Sequence, residues 1–531
     1  MTKKTEDFTI FPKPSDNEIV QNIEDIKLHL FKIAKPLYVL SRSNGSVSQK
    51  YRLKAYIPPL LPESLGNMDF KKRHNLKYAY IAGAMANGIS SVKMVKSMAE
   101  NGMTAFFGAG GLSLNRIEHA IIELKDKVPS NTFGFNLIHS PNDPDHEMAV
   151  VNLYLKHNIN LVSAAAFMRI TLPLVYYRIK GLCQDFDGKV TCPNKIIAKV
   201  SRVEVAKEFF SPPPVKLVNQ LLEKNMITKK EAELAQYIPM AQDITAEADS
   251  GGHTDNRPAL TLFPIMLSLR NQCAEKFNFA DRLCVGLAGG IATPESAAAA
   301  FQMGAGYILT GSINQPCVET DISARAKKML AQARQADVAM APAADMFELG
   351  AKVQVLKRGT MFAIRAEKLY NIYKTYNDFN QVPEKDRNQI EKKFLMAGFN
   401  EKWLETRAFF EKNNNFKEIQ RAEADPKVKM ALVFRSYLGL ASRWAINGDP
   451  ERSIDYQIWC GPAIGAFNQW VRGSFLENHL NRRVVEIGLN LLFGACVSLR
   501  RSWLENQNID CSSSALYFSP AKRDELLKMI V

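Results

Sequence analysis

From Lys77 onward, short apolar runs alternate with longer stretches in which apolar residues recur every three or four positions. The runs are Tyr78 to Ala82, Ala105 to Phe107, Phe133 to Leu137, Leu161 to Phe167, Ile196 to Val200, Ile244 to Ala248, Cys284 to Ala288 and Tyr307 to Thr310. Between them lie amphipathic stretches such as Ser90 to Asn101, with Ser90 as its N-cap, Leu114 to Lys127, Asp145 to His157 and Pro294 to Met303. The first period suits half-buried or buried strands and the second suits helices. Strict alternation of the two predicts right-handed βαβ units and a parallel sheet. Eight such units predict an α/β fold, a closed (β/α)8 TIM barrel.

The pattern also sets boundaries. Residues 1–75 read as a lead-in, with a helical stretch around Asn17 to Ala34 and a hairpin from Tyr38 that turns at Ser43-Asn44-Gly45. The barrel is expected over 76–340, closed by a helix from Asp321 to Ala336. After the fifth run the chain is too long for one unit, and about 211–240 reads as a helical insertion of two short helices joined near Asn225. A lid at the top of the barrel and padding on its side are both open for it. Beyond 340 the strand signal fades, and 341–531 reads as a C-terminal all-helical domain over the barrel mouth.

Composition changes this picture little. The chain has 531 residues and eight scattered cysteines without metal-ligand spacing, which favours reduced thiols and no bound metal. No run approaches the ~20 apolar residues that span a bilayer, and the first residues lack the apolar core of a signal peptide, so a cytoplasmic protein is expected. The net charge of +14 is spread out: residues 321–531 hold 32 Lys+Arg against 24 Asp+Glu, and the first 320 carry the remaining +6. Without a compact basic block, an acidic protein or small anions fit at least as well as nucleic acid.

In such a barrel the chemistry sits where strands end. The first run ends in Gly83-Ala84-Met85, the second in Gly108-Ala109-Gly110-Gly111, and the third contains Asn136. Lys199 interrupts the apolar fifth run, where a charge turned inward is costly without a partner, so its ammonium is expected at the mouth or snorkelling beside it. The sixth run ends in Glu247-Ala248-Asp249-Ser250-Gly251-Gly252-His253-Thr254-Asp255-Asn256-Arg257-Pro258. Glycines admit close backbone approach, and the histidine brings a proton donor or acceptor near neutral pH. A glycine turn beside an exposed histidine is the alternative. Gly289-Gly290 precede a helix capped by Thr293-Pro294, and Gly311-Ser312 follow the eighth run, so backbone N–H groups would converge on an anion there, or simply form tight turns. Among the other histidines only His139, just past the third run, rivals His253. Cys317 and Cys460 read as buried thiols, since no histidine accompanies either.

Taken together, Gly83-Ala84-Met85, Asn136, Lys199, Ser250-Gly251-Gly252-His253, Gly289-Gly290-Ile291 and Gly311-Ser312 resemble the FMN-dependent barrels of nitronate monooxygenases and flavin-type enoyl-ACP reductases. The full Glu247 to Pro258 stretch, with Val355 to Phe362 and Gly461 to Asn468, resembles the PfaD-type trans-acting enoyl reductases of polyunsaturated fatty acid and polyketide synthases. That resemblance implies FMN held by Gly83, Ala84, Met85, Asn136, Lys199, Ser250, Gly251, Gly252, Gly289, Gly290, Gly311 and Ser312. It implies hydride passing from NADPH or NADH through the flavin to Cβ of an enoyl thioester on an acyl carrier protein, with His253 as the catalytic residue. The acidic carrier domains of a synthase would be the partner, and a homo-oligomer is compatible. A nitronate monooxygenase and a flavin-binding scaffold protein without turnover are the alternatives.

Overall fold

The structure is a computed structural model that describes residues 19–20, 23–42, 51–128, 132–140, 143–252, 254–412 and 415–530. Eight parallel strands form a closed barrel in sequence order: β1 (Tyr80–Ala82), β2 (Thr104–Phe107), β3 (Gly134–Ile138), β4 (Leu161–Ala165), β5 (Lys195–Val200), β6 (Asp243–Glu247), β7 (Cys284–Ala288) and β8 (Ile308–Thr310). Ring closure pairs Thr310 of β8 with Ala82 of β1. Every expected strand is present within two residues of its predicted ends. The helix expected from Ser90 begins at Val92 and is capped by Ser91, whose Oγ accepts from the Met94 N–H. Ser90 is instead buried under β1, donating to the Gly83 carbonyl and accepting from the Met85 N–H.

Side chains alternate about the barrel wall, as the two-residue strand period requires. Ile81, Phe106, Leu161, Ile197, Ala288 and Leu309 fill the interior together with Phe70 and Tyr307. Phe70, from the helix Met68–Arg73 under the barrel, stacks on Tyr307 with ring centroids 4.2 Å apart. Gly286 is a glycine because a Cβ there would stand 2.3 Å from the Tyr307 ring.

The floor of the barrel is ionic. Asp243, the first residue of β6, is fully buried and binds Arg73 through one oxygen and His74 Nε2, at 2.8 Å, through the other. Burial holds the His74 imidazole below its ordinary pKa, so it is the neutral ring that donates to Asp243. Burial pushes the Asp243 carboxyl up, but the neighbouring Arg73 and His74 outweigh it and hold its pKa below the usual value. Both groups bind protons more readily unfolded than folded, so both contributions are lost on acidification. The His74 contribution fades as the pH falls below about 6.5 and that of Asp243 as it falls below about 3.9. Urea midpoints measured from pH 8 to 3 should decline through those two windows. Asp243→Asn, which strands the Arg73 charge, should cost about 3–5 kcal/mol at pH 7. A flat profile would mean that the floor does not hold the barrel together.

The insertion, for which the sequence leaves a lid and padding on the side both open, lies at the opposite end of the barrel from the mouth. After β5 the helix Val203–Phe209 returns the chain to the N-terminal end of the strands, and the short helices Val215–Glu223 and Lys229–Leu234 follow there, joined at Asn225 with φ +55°. Val215–Glu223 packs against the helix Leu172–Ile179, Glu231 of the second accepts from the Gly181 N–H just past that helix, and the fully buried Arg178 of that helix donates to the Pro239 and Asn194 carbonyls and to Gln242. The insertion therefore braces the bottom of the barrel and does not cover its mouth.

The eighth helix of the outer ring also differs from expectation. Ala324–Ala331 follows β8, but Val484–Glu505 is the helix that packs between Pro294–Gln302 and Val92–Glu100, where the ring closes. Gly494 there fits against Pro294, and Gly488 against Tyr80 of β1. Its N-terminus is capped from the loop after β8, where both Glu319 oxygens accept from the Val484 N–H at 3.3 Å. Its buried Arg500 donates to the carbonyls of His29, Leu30, Ile33, Lys35 and Pro58, clamping the N-terminal lead-in to the barrel. In that lead-in the ribbon Leu37–Arg42 with Tyr51–Ile57 is antiparallel as expected, while its turn at Ser43-Asn44-Gly45 lies outside the described residues.

Between β8 and the closing helix the chain builds a mostly helical unit with its own apolar core, which includes Phe347, Leu369, Phe379, Phe399 and Phe434. It opens on an antiparallel ribbon, Val338–Pro342 with Lys352–Leu356, and its longest helix is Pro426–Asn447. Buried Asp455 ties it together, accepting from Arg365, Arg452 and Tyr437.

Candidate functional site

At the C-terminal ends of β7 and β8 two glycine turns face open space. Gly289 takes φ +91° because a Cβ there would meet the Ala248 carbonyl carbon at 2.7 Å, whereas a Cβ on Gly290 (φ +75°) or Gly311 would meet nothing within 4 Å. Among the described residues, the N–H groups of Gly290, Ile291, Gly311 and Ser312 have no hydrogen-bond acceptor. The helix Pro294–Gln302 starts beside them, with Thr293 as N-cap and Ser296 completing a capping box. Four free donors, two glycines with open space at their Cβ positions and a helix N-terminus are the kind of donor set that an anion takes.

The loop after β6 is tied into a compact turn. The Asp249 N–H donates to the Arg257 carbonyl at 3.0 Å, and Asn256, at φ +52°, donates from Nδ2 to Asp249 Oδ1 at 2.7 Å. Asp255 receives both Nε and Nη2 of Arg202 and the Ser201 hydroxyl, which pins the loop to the end of β5 and holds its carboxyl below the usual pKa. Gly251 has a reason of its own to be glycine: a Cβ would stand 2.9 Å from Cys460, whose segment crosses it from the helical unit. The next residue of that strap, Gly461, donates its N–H to Ser312 Oγ at 3.0 Å. Ser250 Oγ is buried and has no hydrogen-bond partner among the described residues. His253 lies outside the described residues; its neighbour Gly252 places a Cβ position 3.5 Å from Glu247 Oε1.

Lys199 and Glu247 meet inside the mouth, Nζ to Oε1 at 2.7 Å. The charge Lys199 brings is therefore that of an ion pair and not of an isolated cation. Asn136 uses Oδ1 to accept from the Ala109 and Gly110 N–H groups, at 2.6 and 3.2 Å, and so holds the glycine loop after β2. Its Nδ2 has no acceptor among the described residues, and neither has the hydroxyl of Ser163, its register partner on β4. Gly83-Ala84-Met85 run along the rim, with the Gly83 N–H donating to the Thr310 carbonyl and a Cβ on Gly108 excluded by the Met85 carbonyl. The predicted site residues within the described structure thus share one opening, apart from Gly251 and Gly289, which also serve close backbone packing.

His139 does not share it. It points outward with Phe135 and Leu137 into the helix layer, stacks on Phe167 at 5.2 Å and pairs through Nδ1 with Glu147 at 3.1 Å. Cys317 and Cys460 are fully buried, and burial pushes the Cys460 thiol up to about 12 and that of Cys317 well above its usual value, so both are unreactive. Sequence reading missed Ser163, Glu247 as the partner of Lys199, and Gln354 of the helical unit, whose Nε2 donates to Asp249 Oδ1. The two-residue period placed the first two on the inner wall; Gln354 left no such signal. Among the described residues no helix is long and apolar enough to cross a membrane.

Comparison with known proteins returns two family matches, nitronate monooxygenase over residues 69–394 and the inserted helical domain of acyl-carrier-protein S-malonyltransferase over 376–456. The polyketide biosynthesis protein PksE of Bacillus subtilis strain 168 is 44% identical over 468 residues, covering 88% of this chain and 60% of that protein. One component of the polyunsaturated fatty acid synthase of a Thraustochytrium species is 39% identical over 513 residues, covering 94% of this chain and 34% of that component. The chain thus spans 60% or less of these curated relatives. The crystal structure of the enoyl reductase domain of MlnA, from the macrolactin biosynthesis cluster of Bacillus amyloliquefaciens, aligns with a TM-score of 0.79 at 40% identity, covering 84% of this chain and 99% of that domain.

Proposed function

The chain belongs to the nitronate monooxygenase family, in the branch that holds the MlnA enoyl reductase domain, and from that premise we propose that it is an FMN-dependent enoyl-thioester reductase. Its substrates are acyl groups on the carrier domains of a polyunsaturated fatty acid or polyketide synthase, reached in trans, and NADPH or NADH is the reductant. The observation that carries this reading is the pairing of an open anion cradle at β7 and β8 with a helical unit strapped across the same mouth. A small nitronate needs no such unit, whereas an acyl chain delivered by a protein needs a wall to lie against.

The residues present suit FMN. The N–H groups of Gly290, Ile291, Gly311 and Ser312 would hold its phosphate, helped by the helix that starts at Pro294. Asn136 Nδ2, and the buried hydroxyls of Ser163 and Ser250, which have no partner among the described residues, would be available to the polar edge of a flavin ring. Gly83, Ala84, Met85 and Gly252 leave room along its edge, and Gly251 and Gly289 keep the loops in place. The bound flavin supplies a two-electron centre that takes hydride from the nicotinamide and passes it to Cβ. Lys199, already paired with Glu247, sets a fixed positive end against the ring without adding net charge. His253 serves the negative charge that develops on the thioester, as hydrogen-bond donor to its oxygen or as proton donor to Cα. The helical unit and the excess of basic residues suit an acidic carrier protein, whose capture salt would slow.

The mass of the cofactor released by denaturing the purified protein tests the premise of the site. FMN is expected at one per chain. A protein that purifies without flavin and takes up none when FMN is added would remove the reductase and the nitronate monooxygenase readings together.

A further inference from the structure

Gln354 lies outside the barrel, on the ribbon strand Lys352–Leu356, and is buried. Its amide orientation is forced, because an ionised carboxylate offers only acceptors and its NH2 group must therefore face Asp249. The contact falls on Asp249 Oδ1, the oxygen that also receives Asn256 Nδ2, so one carboxylate oxygen joins both ends of the loop after β6 to the helical unit. Gln354 is itself anchored to the strap: its backbone carbonyl accepts from the Cys460 N–H at 3.3 Å, and Cys460 lies on Gly251. Gln354 Oε1 and Ser250 Oγ are both buried without partners among the described residues, and the Cβ position of Gly461 stands 3.1 Å from both Gln354 Oε1 and the Ser250 Cα. Two unsatisfied polar atoms in so small a space cost stability there, and the amide–carboxylate bond offsets that cost.

We propose that Gln354 is a positioning residue: through Asp249 it fixes the loop that carries Ser250, Gly251 and Gly252, and so makes the order of the active-site loop depend on the helical unit. The consequence for turnover rests on the reductase reading above; the consequence for loop order does not. The double variant separates this role from mere packing. Gln354→Glu sets two carboxylates face to face, whereas Gln354→Glu combined with Asp249→Asn restores a carboxylate–amide pair with the roles reversed: the two hydrogens of the new NH2 group serve the new carboxylate and Asn256, whose own amide turns over so that its Oδ1 accepts.

Hydrogen–deuterium exchange of the 247–258 peptide in the full chain decides the matter. Gln354→Glu should raise exchange there about tenfold, with the global melting temperature little changed, and the double variant should return it to within about threefold of the parent. With a pantetheine enoyl thioester, kcat should fall in the single variant while KM stays, and recover in the double. Unchanged exchange in Gln354→Glu, or a double variant as loose as the single, overturns the proposal. If the parent protein turns over no enoyl thioester, the reductase reading falls and the exchange result still decides the role of Gln354.

Discussion

Gly290→Ala is expected to fold normally and to bind FMN at least about tenfold more weakly, because the loss of one charge-assisted hydrogen bond at about 1.5–3 kcal/mol already reaches that size and the loss of a second exceeds it. Gly290 sits at φ +75° with nothing within 4 Å of its Cβ position, so the methyl group enters the open space beside the free N–H groups proposed to hold the phosphate. Alanine at positive φ costs about 1 kcal/mol, which a barrel of this size absorbs. The neighbouring glycine provides the contrast. At Gly289 the added Cβ meets the Ala248 carbonyl carbon at 2.7 Å and the Asp249 carbonyl oxygen at 2.8 Å, and backbone cannot move aside as a side chain can. Gly289→Ala should therefore lower the melting temperature of the flavin-free protein, and Gly290→Ala should leave it nearly unchanged. Thermal melts of the flavin-free forms with FMN titrations followed by flavin fluorescence check both. Parental FMN affinity in Gly290→Ala would place the phosphate elsewhere.

His253→Ala should retain FMN and its reduction by NADPH and lose about 10²–10⁴ in kcat/KM for the enoyl thioester, the range for one removed acid–base or oxyanion group. The reason is local. His253 follows Gly251 and Gly252 in a loop held at both ends, by Arg202 through Asp255 and by Asn256 and Gln354 through Asp249. Such cross-ties hold Gly251 and Gly252, the residues before His253, in place. The N–H groups proposed to hold the FMN phosphate lie on the loops after β7 and β8, so the flavin half of the reaction should be indifferent to loss of the imidazole. Stopped-flow traces of the two half-reactions separate the effects, and equal slowing of both would move His253 from the thioester to the flavin.

The barrel is legible in the sequence because its strands and helices differ in period, and each strand end marks a place where glycines and polar residues replace the apolar run. Two further features carry a signal that the alternation alone does not bring out. The segment around Pro212 to Tyr237 follows the helix after β5, and a chain that has completed that helix is back at the bottom of the barrel, so topology excludes a lid. Val484–Glu505 is apolar around nearly its whole circumference, the mark of a buried helix. The moderately amphipathic Ala324–Ala331 reads as the closing helix only because it comes first after β8. The tie between Gln354 and Asp249 leaves no mark in the sequence. It joins residues 105 positions apart through an insertion whose placement only the folded chain defines. The same holds for Glu319, which caps a helix 165 residues downstream.

The central claim is that this site moves hydride from a nicotinamide to an enoyl thioester, and a single anaerobic turnover tests it most directly. The protein is reduced with one equivalent of NADPH and then mixed, without oxygen, with crotonyl-pantetheine or a crotonyl carrier protein. The flavin should reoxidise at once, with one saturated thioester formed per flavin. Flavin that stays reduced in the presence of the thioester, yet reoxidises promptly when a nitronate and oxygen are admitted, would contradict the account.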